Sequence, residues 1–228
     1  MSPKSYALAS RGHINRLEKP FLRYLPRSGR ILEAGCGLGR YVLALRTLGY
    51  EVEGVEWSAD TVQAVRSLYP DLPIYTGDVA HLEVHEGYYS AYISLGVVEH
   101  RRDGPEPFLQ EAYRVLQPGG VALISVPYFH SLRRLKARLG LYREQPDGLD
   151  FYQYAFTQAE FAAYLQAAGF KVITWFPYGS FKGIKDEAPP LAWIARQRNV
   201  GWRLEKLFRA WAWLEKNWGH MILAVCQK

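Results

Sequence analysis

Residues 30–40 read Arg-Ile-Leu-Glu-Ala-Gly-Cys-Gly-Leu-Gly-Arg, and this short run constrains the chain more than any other. Two apolar residues and an acid lead into glycines at positions 35, 37 and 39, and a helical pattern follows directly. A strand that ends this way brings bare backbone close to a ligand, because glycine has no side chain to block the approach and tolerates positive φ. The spacing narrows the ligand. A dinucleotide fingerprint, G-x-G-x-x-G, puts its third glycine three positions after the second. Arg40 stands at that position here, and the third glycine comes one residue early.

The rest of the chain alternates between two periodicities. Buried-strand patterns are predicted at 30–34, 51–56, 72–75, 89–95, 121–126, 171–176 and 221–226. Helices are predicted at 41–48, 60–68, 107–116 and 157–168. Ser58 precedes the second helix as an N-cap. Thr157 and Glu160 open the fourth as a capping box, and Gly169 closes it. Pro118-Gly119-Gly120 reads as a turn between the third helix and the fifth strand. Such alternation predicts an α/β fold with a doubly wound, mostly parallel seven-stranded sheet, whose ligands bind beyond the carboxyl ends of the strands. The 228 residues suit a single domain, with a core at about 28–176 and 220–228. Segments of about 128–154 and 180–219 interrupt it as insertions forming a cap or an interface.

Acids stand at the ends of successive strands. Glu33 ends the first, and Glu56 ends the second 17 residues beyond Gly39, where it can accept from both hydroxyls of a ribose. Asp78, after the third, can accept from an adenine amino group, with the Val79 N–H facing a ring nitrogen. The fourth strand runs into Leu95-Gly96-Val97-Val98-Glu99-His100. Arg114-Val115-Leu116-Gln117-Pro118-Gly119-Gly120 precedes the fifth. As an ordered set over about residues 28–176, these resemble motifs I to V of the class I S-adenosylmethionine (SAM)-dependent methyltransferases, of the small-molecule type grouped as methyltransferase domains 11 and 23.

The resemblance implies SAM as cofactor and a Rossmann-like fold. It places Gly35, Cys36, Gly37 and Gly39 under the methionine part, with Glu33 orienting that loop. Glu56 would hold the ribose, Trp57 would pack on the adenosine, and Asp78 and Val79 would read adenine. Leu95 and Gly96 would pass beside the methionine end. Arg40 would meet the methionine carboxylate or solvent. Tyr6 and His13 fall where relatives carry a lid. His100 is the candidate general base, and Glu99, Tyr128, His130, Tyr152 and Tyr154 are candidates for the acceptor pocket. The implied reaction is methyl transfer, by O- or N-methylation, to a small-molecule or lipid-like acceptor. The alternatives are a methyltransferase acting on nucleic acid or protein, a Rossmann-type NAD-dependent oxidoreductase, and a non-catalytic partner protein of the same fold. Against a nucleic-acid amino-methylating enzyme, no Asn/Asp-Pro-Pro-Tyr/Phe motif follows the fourth strand.

Composition bounds the setting. No stretch reaches a membrane-spanning length of apolar residues, and residues 1–20 lack a signal-peptide core. The two cysteines, Cys36 and Cys226, show no metal spacing, so no metal is expected and a cytoplasmic protein is. A net charge of +6 fits a basic enzyme and does not require nucleic acid. Five of the seven Trp lie after residue 190. That Trp-rich segment, with an apolar stripe at Val200, Leu204, Leu207, Phe208, Trp211, Leu214 and Trp218, suits a lid, a homodimer interface or peripheral contact with a membrane. A monomer is equally compatible. Residues 131–139 form a second, basic amphipathic piece, with Leu132, Leu135 and Leu139 on one face.

Overall fold

The computed structural model describes residues 3–141, 153–187, 193 and 201–228. Seven strands form one sheet in the order β3-β2-β1-β4-β5-β7-β6. They are β1 (Ile31–Ala34), β2 (Val52–Glu56), β3 (Ile74–Thr76), β4 (Tyr89–Leu95), β5 (Leu116–Pro127), β6 (Lys171–Tyr178) and β7 (Met221–Gln227). β1 to β5 run parallel, and β7 lies antiparallel between β5 and β6. The doubly wound fold is therefore as expected, with a mixed end.

The strands alternate at period two, so neighbouring residues enter opposite layers. Ile31, Ile93, Leu123 and Leu223 face a core shared with Phe21, Val42, Leu45, Val62 and Val65. Leu32, Tyr92, Ile124 and Ala224 face the other, shared with Leu109, Val115, Phe161 and Leu165. The first layer is built by α1 (Pro3–Ala9), α2 (Glu18–Tyr24), α3 (Arg40–Thr47) and α4 (Ala59–Leu68), and the second by α5 (Glu106–Val115) and α7 (Gln158–Ala167). α6 (Ser131–Arg138) follows β5, between α5 and α7 in sequence, and α8 (Ser180–Glu187) follows β6. Two predicted caps are present. Ser58 Oγ accepts from Thr61 N at 3.2 Å. Thr157 Oγ1 accepts from Glu160 N at 3.2 Å while Glu160 Oε2 accepts from Thr157 N at 2.8 Å.

Three local readings need correction. The third strand starts at Ile74, two residues late, because Leu72 is used in turning off α4, its N–H donating to Tyr69 O. Pro118-Gly119-Gly120 is not a turn: α5 stops at Val115 and β5 begins at Leu116, which pairs with Tyr89 ahead of a register shift. Gly119 N donates to Lys228 O and Lys228 N to Gly120 O, so the glycines extend the ladder toward β7. The apolar stripe near the C-terminus is broken at Trp211, where one helix (Gly201–Ala210) ends and another (Ala212–Trp218) begins.

Arg114, from the turn-like motif, clamps the loop that follows β3. Its guanidinium donates to Val84 O at 2.8 Å, to Leu82 O at 3.0 Å and to both oxygens of Glu111 at 2.7 Å. Glu111 Oε1 in turn accepts from Leu82 N at 2.6 Å, and the guanidinium beside it holds the Glu111 carboxyl below its ordinary range against the opposing effect of burial. Hydrogen bonds to charged groups contribute about 1.5–3 kcal/mol each at most. Arg114→Ala should therefore lower unfolding free energy by about 2–3 kcal/mol, read as a drop in urea midpoint at unchanged slope.

Candidate functional site

The carboxyl ends of β1, β2, β3 and β4 converge on one edge of the sheet, and the loop between β1 and α3 lies at their centre. Its shape is set by backbone bonds to the neighbouring strand: Gly35 N and Cys36 N both donate to Val55 O, at 2.8 and 3.0 Å. Gly35, Gly37 and Gly39 all have positive φ, at 74°, 53° and 66°. The three differ in surroundings. A Cβ on Gly35 would collide with Val97, and one on Gly39 with Ile74. These two glycines are required by the protein's own packing. A Cβ on Gly37 would meet nothing within 4 Å, so its backbone is the part that faces open space.

Two carboxylates hold this loop from below. Glu33 is 4% exposed, and its Oε2 accepts from Val42 N, in the first turn of α3, at 3.0 Å. Gly39 at the N-cap has no side chain to do this, so the strand supplies the cap. Burial pushes the Glu33 carboxyl up to about 8, against the opposing pull of the Val42 N–H and of Arg40. Glu56 is half-buried: Oε2 accepts from Gly37 N at 2.9 Å and Oε1 from Ser58 N at 3.1 Å. Two backbone donors fix the headgroup and leave lone pairs toward the cleft. Trp57, next in the chain, is 75% exposed on the rim. Asp78 Oδ1 accepts from Ala80 N at 2.8 Å, and Val79 between them is buried. Cys36 is a buried free thiol against Gly54, pushed up by burial, with Glu33 and Glu56 adding to the rise. Arg40 stacks on Tyr41, 4.3 Å from the ring centre.

The opposite wall follows β4. Leu95 and Gly96 are half-buried, and Val97 touches the glycine loop at Gly35. Glu99 lies in a 3-10 turn (Val98–His100) and is 2% exposed. Its Oε2 has no hydrogen-bond partner among the described residues, and burial pushes the carboxyl up to about 7. His100 is far more exposed, with Nε2 4.0 Å from Glu99 Oε1. Tyr154 donates its hydroxyl to Arg102 O at 2.8 Å, while Tyr154 N donates to Glu99 O at 3.0 Å. Tyr154 thus straps one segment to the loop after β4. Tyr128 is half-buried, and its ring lies 6.3 Å from the ring of His130. His130 is fully buried with both ring nitrogens unpaired among the described residues, and desolvation lowers its pKa to about 4. Tyr152 lies outside the described residues.

Other groups at this edge had no sequence signal. Tyr178, at the end of β6, donates to Ser125 Oγ at 3.1 Å, and burial pushes its phenol above the ordinary value, with Tyr41 and Glu99 adding to the rise. Tyr178, His13, Arg16 and Glu215 line a cleft of about 480 Å³ between the N-terminal segment and the end of β6. Tyr6 donates to Leu38 O at 2.5 Å, which pins α1 across the glycine loop, whereas His13 turns toward Glu18 at 3.8 Å.

Residues 9–174 match the family described as "Methyltransferase domain". The chain belongs to that family. A relative from Mycolicibacterium smegmatis, named a probable S-adenosylmethionine-dependent methyltransferase, is 33% identical over 142 residues, which are 62% of this chain and 52% of the relative. A ubiquinone biosynthesis O-methyltransferase from Pectobacterium carotovorum is 26% identical over 101 residues, 42% of each chain. The chain thus spans about half the length of the curated relatives it matches. Among solved structures, a SAM-dependent methyltransferase from Methanosarcina mazei superposes with TM-score 0.64 at 15% identity, over 92% of this chain and 96% of that one, which shows a shared fold. SAM is the cofactor of this family, and the open backbone at Gly37 beside the Glu56 carboxylate fits a nucleoside carrying a charged amino-acid tail.

Two predictions follow from the loop's construction. Gly39→Ala should cost roughly 2–4 kcal/mol of stability, from positive φ and the clash with Ile74, whereas Gly37→Ala should cost about 1 kcal/mol in thermal unfolding and act mainly on ligand affinity. Glu33 gives a pH dependence. Its folded pKa is raised, so its stability contribution is complete below about 4.5 and is lost as pH rises through about 8. Glu33→Gln, which keeps an acceptor for Val42 N, should flatten the fall in melting temperature over that window.

Proposed function

We propose that the chain transfers a methyl group from SAM to a small-molecule or lipid-like acceptor, with oxygen or nitrogen as the attacking atom. The observation that carries the cofactor site is the Glu56 carboxylate, held by Gly37 N and Ser58 N at the mouth of a loop whose central glycine faces open space. In this reading Glu56 accepts from the ribose hydroxyls, Trp57 covers the adenosine, and Asp78 and Val79 meet the adenine edge. Leu95 and Gly96 flank the methionine end. Glu33 contributes through Val42 N by keeping the loop in place. Bound SAM supplies a methyl group already activated by its sulfonium. The protein's task is then to align the acceptor and exclude water, which can supply roughly 7–11 kcal/mol.

Proton removal falls to Glu99 with His100. Glu99 is buried at the wall of the site with one oxygen unpaired and a pKa near neutrality, which suits a base at cellular pH. His100, 4.0 Å away and partly exposed, is placed to pass the proton to solvent. The cleft beside Tyr178 and Arg16 takes the acceptor. The likeness to an O-methyltransferase of ubiquinone biosynthesis supports an acceptor with an apolar tail.

Calorimetric titration with SAM and with NADH tests the cofactor. Heat with SAM is expected, and Glu56→Ala should weaken that binding by about ten- to a hundredfold, as loss of hydrogen bonds to a charged group would. Heat with NADH alone would overturn the reading. For the base, methylation of phenol and amine acceptors with tritiated SAM should rise with pH through about 7, as Glu99 ionises. Glu99→Gln should lower that rate about 10²–10⁴-fold and remove the rise, and His100→Gln should lower it less.

A further inference from the structure

Helix α6 is mounted on the protein the wrong way round for a helix whose apolar side seals a core. None of its residues is buried. The side turned toward the body carries charge: Arg133 donates to Glu187 Oε1 at 2.8 Å and Lys136 to Glu187 Oε2 at 2.7 Å, with Arg133 also bonding Tyr128 O at 3.1 Å. At about 100° per residue, Arg138 lies opposite Arg133 and Lys136, with Arg134 and Leu135 on either side of it and Leu139 between Leu135 and Lys136. Leu135 is 53% exposed and Leu139 63%. The cap repeats the pattern. Gly140 at φ 63° closes a Schellman turn, with Gly140 N on Ala137 O at 3.0 Å and Leu141 N on Lys136 O at 2.9 Å. In such a turn the residue after the glycine ordinarily packs back on the helix, yet Leu141 is 60% exposed. Three leucines are therefore held outward by ordered backbone.

Charge frames these leucines. Arg134 and Arg138, one turn apart, are exposed, and among the described residues neither is in an ion pair. The helix contains no acid. Beside it, Ser131 Oγ bonds Asn217 O at 3.0 Å, which joins the start of α6 to the helix Ala212–Trp218, where Trp213 is 61% exposed and the preceding Trp211 59%. No helix among the described residues is long and apolar enough to cross a membrane. Leucine tips flanked by exposed guanidinium groups that form no ion pair among the described residues, with tryptophans on the adjoining element, suit a layer that is apolar below and anionic above.

We propose that the outer face of α6, formed by Leu135, Leu139 and Leu141 and bordered by Arg134 and Arg138, docks on a lipid surface bearing anionic headgroups. α6 follows β5, so this face sits at the same edge of the sheet as the glycine loop. The docking goes beyond the methyl-transfer reading and holds for any acceptor.

Sedimentation with vesicles tests it. The protein should co-sediment with vesicles of equal parts phosphatidylglycerol and phosphatidylcholine, not with phosphatidylcholine alone, and binding should weaken as salt rises. Arg134→Gln combined with Arg138→Gln should lower the partition coefficient about thirtyfold, the equivalent of about 1 kcal/mol per charge. Leu135→Gln combined with Leu139→Gln should lower it at least about tenfold. Circular dichroism and SAM titration on the same preparations should match the parent protein. Equal binding to both vesicle types, no binding to the anionic ones, or full binding by both double variants would overturn the proposal. So would leucine-dependent self-association without lipid binding, which would assign the face to a second copy of the chain.

Discussion

The hydrogen bond from Val42 N to the buried Glu33 carboxyl fixes the geometry on which the candidate site depends. It ties the first turn of α3 to the strand beneath and so sets where the glycine loop can pass. A side chain at Gly39 could cap the helix in the ordinary way, but the space is filled by Ile74 and Leu72. An acid one strand-length away does the work instead, at the cost of burying an ionisable group. Once the loop is held, Glu56 can meet Gly37 N, and the open backbone presented to a ligand is short and rigid.

The division of labour among the glycines shows why a glycine-rich motif is only partly a ligand signature. Gly35 is small because Val97 from the opposite wall fills its Cβ position, and Gly39 because Ile74 fills its own. Only Gly37 is small toward open space. The sequence pattern is identical at all three, since it reports the absence of a side chain and not what occupies the vacated volume.

Much of the architecture was legible because strand and helix periods are local. The caps at Ser58 and Thr157 and the acids at strand ends needed no knowledge of tertiary contacts. Glu33 and Glu56 were legible as acids at strand ends, and the family resemblance implied their places beside the glycine loop. What escaped was non-local. Tyr178 reaches the site edge because β6 ends beside β7 and its hydroxyl finds Ser125, 53 residues away in the chain. Tyr154 is anchored to Arg102 O, a contact that no local pattern encodes. The Pro-Gly-Gly segment looked like a turn, yet it joins the ladder through Lys228.

The position of β7 also bears on how the molecule is made. β6 pairs in the sheet with β7 alone, and β5 has β7 on its outer side. During synthesis β5 and β6 are both extruded well before Met221–Gln227, and until that segment emerges they present an open, apolar gap between them. Residues such as Ile222, Leu223 and Val225, fully buried in the finished protein, act as the final wedge. The sheet therefore stays divided until Met221–Gln227 inserts between β5 and β6.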